Sequence, residues 1–111
     1  MRNIFVGAGL VLVLAAAPTY AEKVHIKYRD ADVDLGKFEC HDITKGPEVR
    51  RICYDKSNSY LVIKLHNTYY HYCEIDEATA KGLQSANSPD DYYQKSVRGH
   101  FDCRTHHITQ Y

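Results

Sequence analysis

Residues 49–75, VRRICYDKSNSYLVIKLHNTYYHYCEI, contain three apolar and aromatic runs separated by short polar turns, and the predicted architecture is built on this segment. The three runs are residues 50–54, 60–65 and 69–75. They are rich in β-branched and aromatic residues, which favour strands over helices. In the central run Leu61, Ile63 and Leu65 alternate with other residues and therefore share one face of a strand. Because the turns are short, the sequence predicts a three-stranded antiparallel meander.

Two helices are predicted after the meander, because the period of the apolar residues changes there. Asp76 is a good N-cap, and the apolar residues that follow it have helical spacing as far as Ala86. Residues 87–89 contain a proline and stop this helix, and a second helix is predicted over residues 90–98. The acidic residues at both helix starts suit the positive end of a helix, which explains them without paired catalytic acids. The predicted fold class is α+β, a three-stranded antiparallel meander followed by two helices.

The residues before the meander divide into two parts. Residues 1–21 carry a positive charge at Arg2, an apolar run and small residues at their end, which is the pattern of an export signal cleaved before Glu22. Residues 22–48 are predicted to form an N-terminal arm with one short strand. No later apolar run is long enough to span a bilayer. The sequence therefore predicts an exported protein, in a bacterial periplasm by preference and secreted from the cell as the alternative.

All four cysteines follow the predicted signal. They are Cys40, Cys53, Cys73 and Cys103. Export delivers them to an oxidising compartment, where an even number of cysteines usually forms disulfides. Four cysteines allow three pairings, and the residues alone do not choose among them. A thiol nucleophile is disfavoured, because a paired cysteine offers no thiolate and the chain has no Cys-x-x-Cys motif.

The remaining patterns that could carry chemistry are weak. Without Arg2 the chain has thirteen basic and fourteen acidic residues, which disfavours strong electrostatic capture of nucleic acid. His106 and His107, with His100 and Asp102 close by, match no standard zinc spacing. The Gly-x-Ser-x-Gly motif of serine hydrolases does not occur. We therefore predict no catalytic residue, no metal site and no cofactor.

Five groups of residues carry a family resemblance. They are Cys53-Tyr54-Asp55, Tyr60-Leu61-Val62-Ile63, Tyr70-His71-Tyr72 with Ile75, Leu83 with Ala86 and Ser88, and Tyr92-Tyr93 ahead of Val97-Arg98-Gly99-His100-Phe101. Together they resemble the KTSC domain, which is named for its occurrence at the C-terminus of some lysyl-tRNA synthetases. We place this domain at residues 49–103, followed by a polar tail at 104–111. The resemblance implies a small sheet-and-helix module without a catalytic role, suspected of binding nucleic acid or another anionic ligand.

The resemblance also bears on the disulfides. Cys40 and Cys103 lie outside the matching motifs, whereas Cys53 and Cys73 lie among the predicted strands. This placement implies the pairs Cys40 with Cys103 and Cys53 with Cys73. The first pair would tether the N-terminal arm to the other end of the domain.

Tyrosine is unusually common in this chain, with ten tyrosines and no tryptophan. Tyrosines on both faces of a strand cannot all be buried by one layer of helices, so part of the set is expected at the surface. An exposed tyrosine beside a basic side chain can stack on a ligand and contact an anion. The candidate ligand-binding residues are Tyr70, Tyr72, Tyr92, Arg98 and His100.

These observations predict a small exported, non-enzymatic binding module whose partner is an anionic ligand or another exported protein. The alternative is a structural envelope accessory that binds another exported protein. A third hypothesis is an exported thiol or metal enzyme. A homodimer is also possible, because the edge strands of a three-stranded sheet invite pairing.

Overall fold

A computed structural model of the protein describes residues 22–105 and 110–111. The predicted signal at 1–21 and the residues His106 and His107 lie outside the described residues. The strands are β1 (Lys23–Val24), β2 (Val33–Asp34), β3 (Glu39–Asp42), β4 (Val49–Asp55), β5 (Tyr60–Leu65) and β6 (Thr68–Tyr72), and the helices are α1 (Glu77–Ser85) and α2 (Pro89–Tyr92). Within the described part of the chain, no helix has the length and apolar character needed to cross a membrane.

The main sheet has four antiparallel strands in the order β3-β4-β5-β6, and β1 and β2 form a separate two-stranded sheet. The predicted meander is present as β4, β5 and β6, but the prediction of three strands was wrong. The fourth strand, β3, comes from the arm, which also supplies β1 and β2 and so holds three short strands instead of one. β3 has the sequence Glu-Cys-His-Asp, without an apolar alternation, so its strand conformation depends on pairing with β4.

Both helices occur near their predicted positions. Asp76 caps α1, and its Oδ2 accepts a hydrogen bond from the backbone N–H of Thr79 at 3.0 Å. Ser88 caps α2, which continues directly as a π-helical turn at Tyr93–Val97. The carboxylate of Asp90 lies in the first turn of α2, as predicted, and has a further role. It accepts hydrogen bonds from the backbone N–H groups of residues 48 and 49, at 3.2 and 2.8 Å, and so fastens α2 to the start of β4.

The main sheet has a buried core on each face. The core on the helix face contains Ile43, Val49, Ile52, Leu61, Ile63, Ile75, Ala80, Leu83, Tyr93 and Val97. The core on the opposite face, which we call the arm face, contains Val24, Ile26, Val33, Leu35, Cys53, Tyr60, Val62, Cys73 and Cys103. Neighbouring residues of a strand point to opposite faces, and the run 60–63 is buried throughout because both faces are covered.

The disulfides pair Cys40 with Cys53 and Cys73 with Cys103, so the implied pairing was wrong. Cys40 lies directly opposite Cys53 in the register of β3 and β4, with their Cα atoms 4.0 Å apart. Cys53 and Cys73 cannot pair, because β5 lies between β4 and β6. Strands two positions apart are separated by roughly 9.5 Å, beyond the reach of about 7 Å that a disulfide allows between Cα atoms.

Tyr111 packs onto the arm face, although the tail was predicted as a polar appendage. Its ring stacks on Tyr60, with centroids 5.5 Å apart, and contacts Phe38 at 4.9 Å. Its hydroxyl donates a hydrogen bond of 2.7 Å to Oδ2 of Asp55. Asp55 is 2% exposed and also accepts from the backbone N–H of Ser57. The last residue of the sequence therefore takes part in the second core.

Candidate ligand-binding groove

A groove of about 650 Å³ runs along the outer edge of β6. Its floor is the edge strand itself, and its two walls come from distant parts of the chain. The lining residues are Lys27, Tyr28, Tyr70, His71, Tyr72, Gly99, His100, Phe101, Asp102, Cys103 and Arg104. The groove therefore exists only where the arm and the segment after α2 approach the same strand.

The arm forms the first wall. Ile26, which is fully buried, makes an isolated parallel bridge with Tyr69 of β6. The backbone N–H of Lys27 donates to the carbonyl of Tyr69 at 2.9 Å. Tyr28 follows at the rim with 81% of its surface exposed. This attachment places the side chains of Lys27 and Tyr28 over the groove.

Residues 99–104 form the second wall. The backbone N–H of Cys73 donates to the carbonyl of Phe101 at 3.0 Å, and the Cys73–Cys103 disulfide holds the same segment covalently. Arg104 is oriented by Asp102, since its Nε and Nη2 lie 2.8 and 2.6 Å from Oδ2 of that carboxylate. The second wall therefore presents an ion pair at the surface of the groove.

The groove combines aromatic rings with a small positive charge. Lys27 Nζ lies 5.3 Å from the ring centroid of Tyr28 and 5.8 Å from that of Tyr70. Lys27 and Arg104 contribute two positive charges and Asp102 one negative charge, so the lining carries a net charge of +1 with its histidines neutral. Aromatic faces beside cations suit a ligand that has both planar or extended apolar parts and negative charge.

Three of the five predicted ligand-binding residues meet in this groove, namely Tyr70, Tyr72 and His100. Tyr72 lies at its inner side, where its hydroxyl shares a hydrogen bond with that of Tyr93. His100 is exposed. Arg98 does not line the groove, and its Nη1 donates to the side chain of Gln94 at 2.9 Å.

The fifth predicted residue, Tyr92, joins the two helices. Its hydroxyl donates to the carbonyl of Thr79 in α1 at 3.0 Å. The ring lies so close to Gly82 that a Cβ atom there would collide with the Tyr92 hydroxyl. Gly82 thus weakens α1 by a modest amount but permits this contact. The structure gives Tyr92 a packing role and places it away from the groove.

Sequence reasoning missed Lys27, Tyr28 and Arg104. Each lies outside the segment that carried the resemblance, and no local pattern connects residues 27 and 28 with β6, some forty residues later. The bridge between Ile26 and Tyr69 brings them to the groove. The one available signal was the alternation in Val24, Ile26 and Tyr28, which predicts a strand but does not say which strand it joins.

Two titratable side chains of the groove, Tyr72 and His71, have shifted pKa values. Burial raises the pKa of the Tyr72 hydroxyl, and the hydrogen bond with Tyr93 raises it further. Burial lowers the pKa of His71, whose Nδ1 lies 2.7 Å from the Tyr60 hydroxyl. All four cysteines of the chain are described, and all are in disulfides. In residues 22–105 and 110–111, no group of three or more His, Cys, Asp or Glu residues is arranged to hold a metal ion.

Comparison with known families matches the KTSC domain to residues 47–101, about half of the chain. The match includes the floor of the groove and part of its second wall, but neither Lys27 nor Tyr28. Cys40 and Cys103 also lie outside it. No curated protein matches the chain.

Proposed function

This chain belongs to the KTSC domain family, and we propose that it is a small exported, non-enzymatic binding module whose ligand lies in the groove beside β6. The proposal rests on one observation, which is that Lys27, Tyr28 and Tyr70 line the same concave surface. An exposed aromatic ring next to a cation is typical of a binding surface and is not needed to hold the sheet together.

Export is supported by two independent features. Residues 1–21 have the pattern of an export signal. Both pairs of cysteines are bonded, as expected for a protein that folds in an oxidising compartment. We place the protein in a bacterial periplasm by preference, with secretion from the cell as the alternative.

The ligand is proposed to be anionic. The net charge of the groove lining is +1, and Lys27 lies at its mouth with its Nζ over two tyrosine rings. A negatively charged group near Lys27 would be attracted by this charge, and the neighbouring rings lower the local dielectric constant, which strengthens the attraction. The resemblance to a domain found in tRNA synthetases agrees with an anionic ligand.

The test compares Lys27→Gln with Lys56→Gln, each of which removes one positive charge. Lys56 has a side chain that is 76% exposed, pairs with Glu77 and does not line the groove. Binding of fluorescein-labelled polyglutamate, heparin and oligothymidylate is measured by fluorescence anisotropy. We expect Lys27→Gln to weaken binding of at least one probe about three- to tenfold, from the loss of roughly 1 kcal/mol of cation interaction. Lys56→Gln should leave that binding unchanged.

Two results would contradict the proposal. The first is that none of the three probes binds with a Kd below about 1 mM, the lower end of specific affinity. The second is that the two lysine variants weaken binding equally, which would indicate attraction by the overall charge of the protein. Tyr70→Ala serves as an additional variant, because it removes one of the rings under Lys27 without changing the charge.

A further inference from the structure

The β5–β6 hairpin determines which residues of β6 direct their backbone N–H and C=O groups towards β5 and which direct them away from it. Leu65 and Thr68 close a two-residue loop, so they form a hydrogen-bonded pair with each other. Every second residue after Thr68 then bonds to β5, and the residues between them direct their N–H and C=O groups away from it. Two observed hydrogen bonds confirm this alternation, since the carbonyl of Tyr69 and the N–H of Cys73 both bond to segments outside the sheet.

His71 lies between those two residues, so its backbone N–H and C=O also point outward. Lys27 bonds to Tyr69 on one side, and Phe101 bonds to Cys73 on the other. Within residues 22–105 and 110–111, no backbone group is hydrogen-bonded to the outward N–H and C=O of His71. His71 also lines the groove. In the part of the chain that the structure describes, the groove floor therefore contains one position of a β-sheet edge without a main-chain partner.

The arm ends its pairing with β6 before it reaches His71. Tyr28 has a φ of 69°, and the N–H of Arg29 donates back to the carbonyl of Ile26 at 3.1 Å. This conformation is uncommon for a residue with a side chain, and it turns the arm away from the sheet edge. Within residues 22–105 and 110–111, the edge position at His71 is therefore left open.

We infer that the groove takes an extended acidic segment of another exported protein, which pairs its main chain with His71 at the edge of β6. This inference rests on the proposed function and specifies the ligand class. An antiparallel peptide can exchange both hydrogen bonds with one residue of the edge strand. The phosphate oxygens of a nucleic acid are acceptors only, so they could engage the N–H of His71 but not its C=O. The positive lining selects acidic side chains, and Tyr28 at the rim offers an exposed aromatic contact.

The first experiment varies the ligand. A fluorescein-labelled peptide of alternating glutamate and threonine is compared with the same peptide N-methylated at every residue, and with a labelled oligothymidylate. N-methylation leaves the side chains and the charge unchanged but removes the main-chain donors. We expect the unmodified peptide to bind at least about tenfold more tightly than the methylated one, because a main-chain hydrogen bond is lost.

The second experiment varies the protein at the same position. His71→Pro removes the outward N–H, and proline is tolerated at an edge position whose N–H faces solvent. His71→Gln keeps that N–H and retains a polar group near the Tyr60 hydroxyl. We expect about tenfold weaker peptide binding for His71→Pro and less than about threefold for His71→Gln. Hydrogen exchange of the His71 amide in the unaltered protein should slow when the peptide binds, which tests the inference even if His71→Pro does not fold.

The outcomes separate this inference from the proposed function. If the methylated peptide binds as well as the unmodified one, or if only oligothymidylate binds, the groove still binds a ligand but the main-chain pairing is wrong. If the His71 amide shows no slowing at saturating peptide, the pairing is wrong as well. If the protein forms a homodimer that dissociates when the peptide binds, the natural occupant of the β6 edge would be a second copy of this chain instead of another protein. Failure of all probes would overturn both proposals.

Discussion

The two faces of the main sheet are covered in different ways. Among the described residues, every buried residue of the helix face except Ile43 lies within residues 47–101, the segment that matches the KTSC domain. On the arm face, five of the nine described buried residues lie outside that segment: Val24, Ile26, Val33, Leu35 and Cys103. The helix face is thus completed mainly by the matching segment itself, and the arm face by residues that flank it.

The disulfides follow the same division. Each one joins a cysteine inside residues 47–101 to one outside, namely Cys53 to Cys40 and Cys73 to Cys103. Short flanking segments such as β1, β2 and β3 bury little apolar surface each, so packing alone holds them weakly. Covalent links thus occur on the face whose covering segments are short, whereas the helix face has no disulfide.

The largest expected losses of stability come from truncating two neighbouring residues of β5 that point to opposite faces of the sheet. Ile63→Ala, on the helix face, should lower the free energy of unfolding by about 3–4 kcal/mol, and Val62→Ala, on the arm face, by about 2 kcal/mol. Both residues are fully buried, so the loss per carbon removed should be the same. Urea denaturation measures both values. A loss of unfolding free energy much below 2 kcal/mol for Val62→Ala would show that the arm does not bury the arm face of the sheet.

Removal of a disulfide should act only through the arm face. The double variant Cys73→Ala with Cys103→Ala opens a loop with a sequence separation of 30 residues, and the loop-entropy relation predicts a loss of about 3.5 kcal/mol. Cys40→Ala with Cys53→Ala, with a separation of 13, should lose about 3 kcal/mol. Only the variant that lacks Cys73 and Cys103 should also lose binding in the groove, since Cys103 belongs to the second wall of the groove. Equal loss of binding in both variants would contradict this assignment.

The arm face should also be the more sensitive to acid, because of Asp55. Burial raises the pKa of this carboxyl group, but hydrogen bonds from Asn58, Tyr111 and Ser57 outweigh burial and leave the pKa below its ordinary value of 3.8. The pKa is lower in the folded chain, so the stabilisation is complete above the ordinary value and is lost as pH falls through the folded value.

Tyr111→Phe tests this contribution. It should cost about 2 kcal/mol at neutral pH, where the carboxylate is charged, and progressively less as the pH is lowered into the acid range and the carboxylate becomes protonated. Unfolding free energies measured across this range, with exposed Gln110→Ala as the control, give the comparison. A loss for Tyr111→Phe that does not change with pH would contradict the role of Asp55.

The smallest loss of stability is expected on the helix face, when the hydrogen bond between the hydroxyls of Tyr72 and Tyr93 is removed. Each single change to Phe should cost about 1 kcal/mol, because it leaves the other hydroxyl without its partner. The double variant should cost less than the sum, since both hydroxyls are then gone. A double-mutant cycle by thermal denaturation measures this coupling. Additive losses would show that the two hydroxyls do not depend on each other.

Local signals explain which elements were predicted. β4, β5 and β6 have apolar and aromatic runs between turns, and α1 has an aspartate cap followed by helical spacing. β3 has only the sequence Glu-Cys-His-Asp, so its conformation comes from its partner strand and could not be predicted from its own residues. The same reason explains the missed disulfide pairing, because Cys40 meets Cys53 only through that strand.

The groove shows the same division between local and distant information. Tyr70, Tyr72 and His100 belong to the segment that resembles the family, and the sequence was sufficient to propose them. Lys27 and Tyr28 reach the groove through the bridge of Ile26 to Tyr69 in β6, which no local pattern encodes. Tyr92 does not line the groove, and the sequence does not show that its hydroxyl bonds to the carbonyl of Thr79.

The sequence by itself determined the three central strands, the two helices, the presence of two disulfides and the family. These features depend on residue type, on periodicity and on short motifs, all of which are local. The tertiary structure alone decided the fourth strand, the disulfide pairing, the second core and the groove. Each of these depends on which distant segments become neighbours, and that follows from strand register and from the need to cover both apolar faces of the sheet.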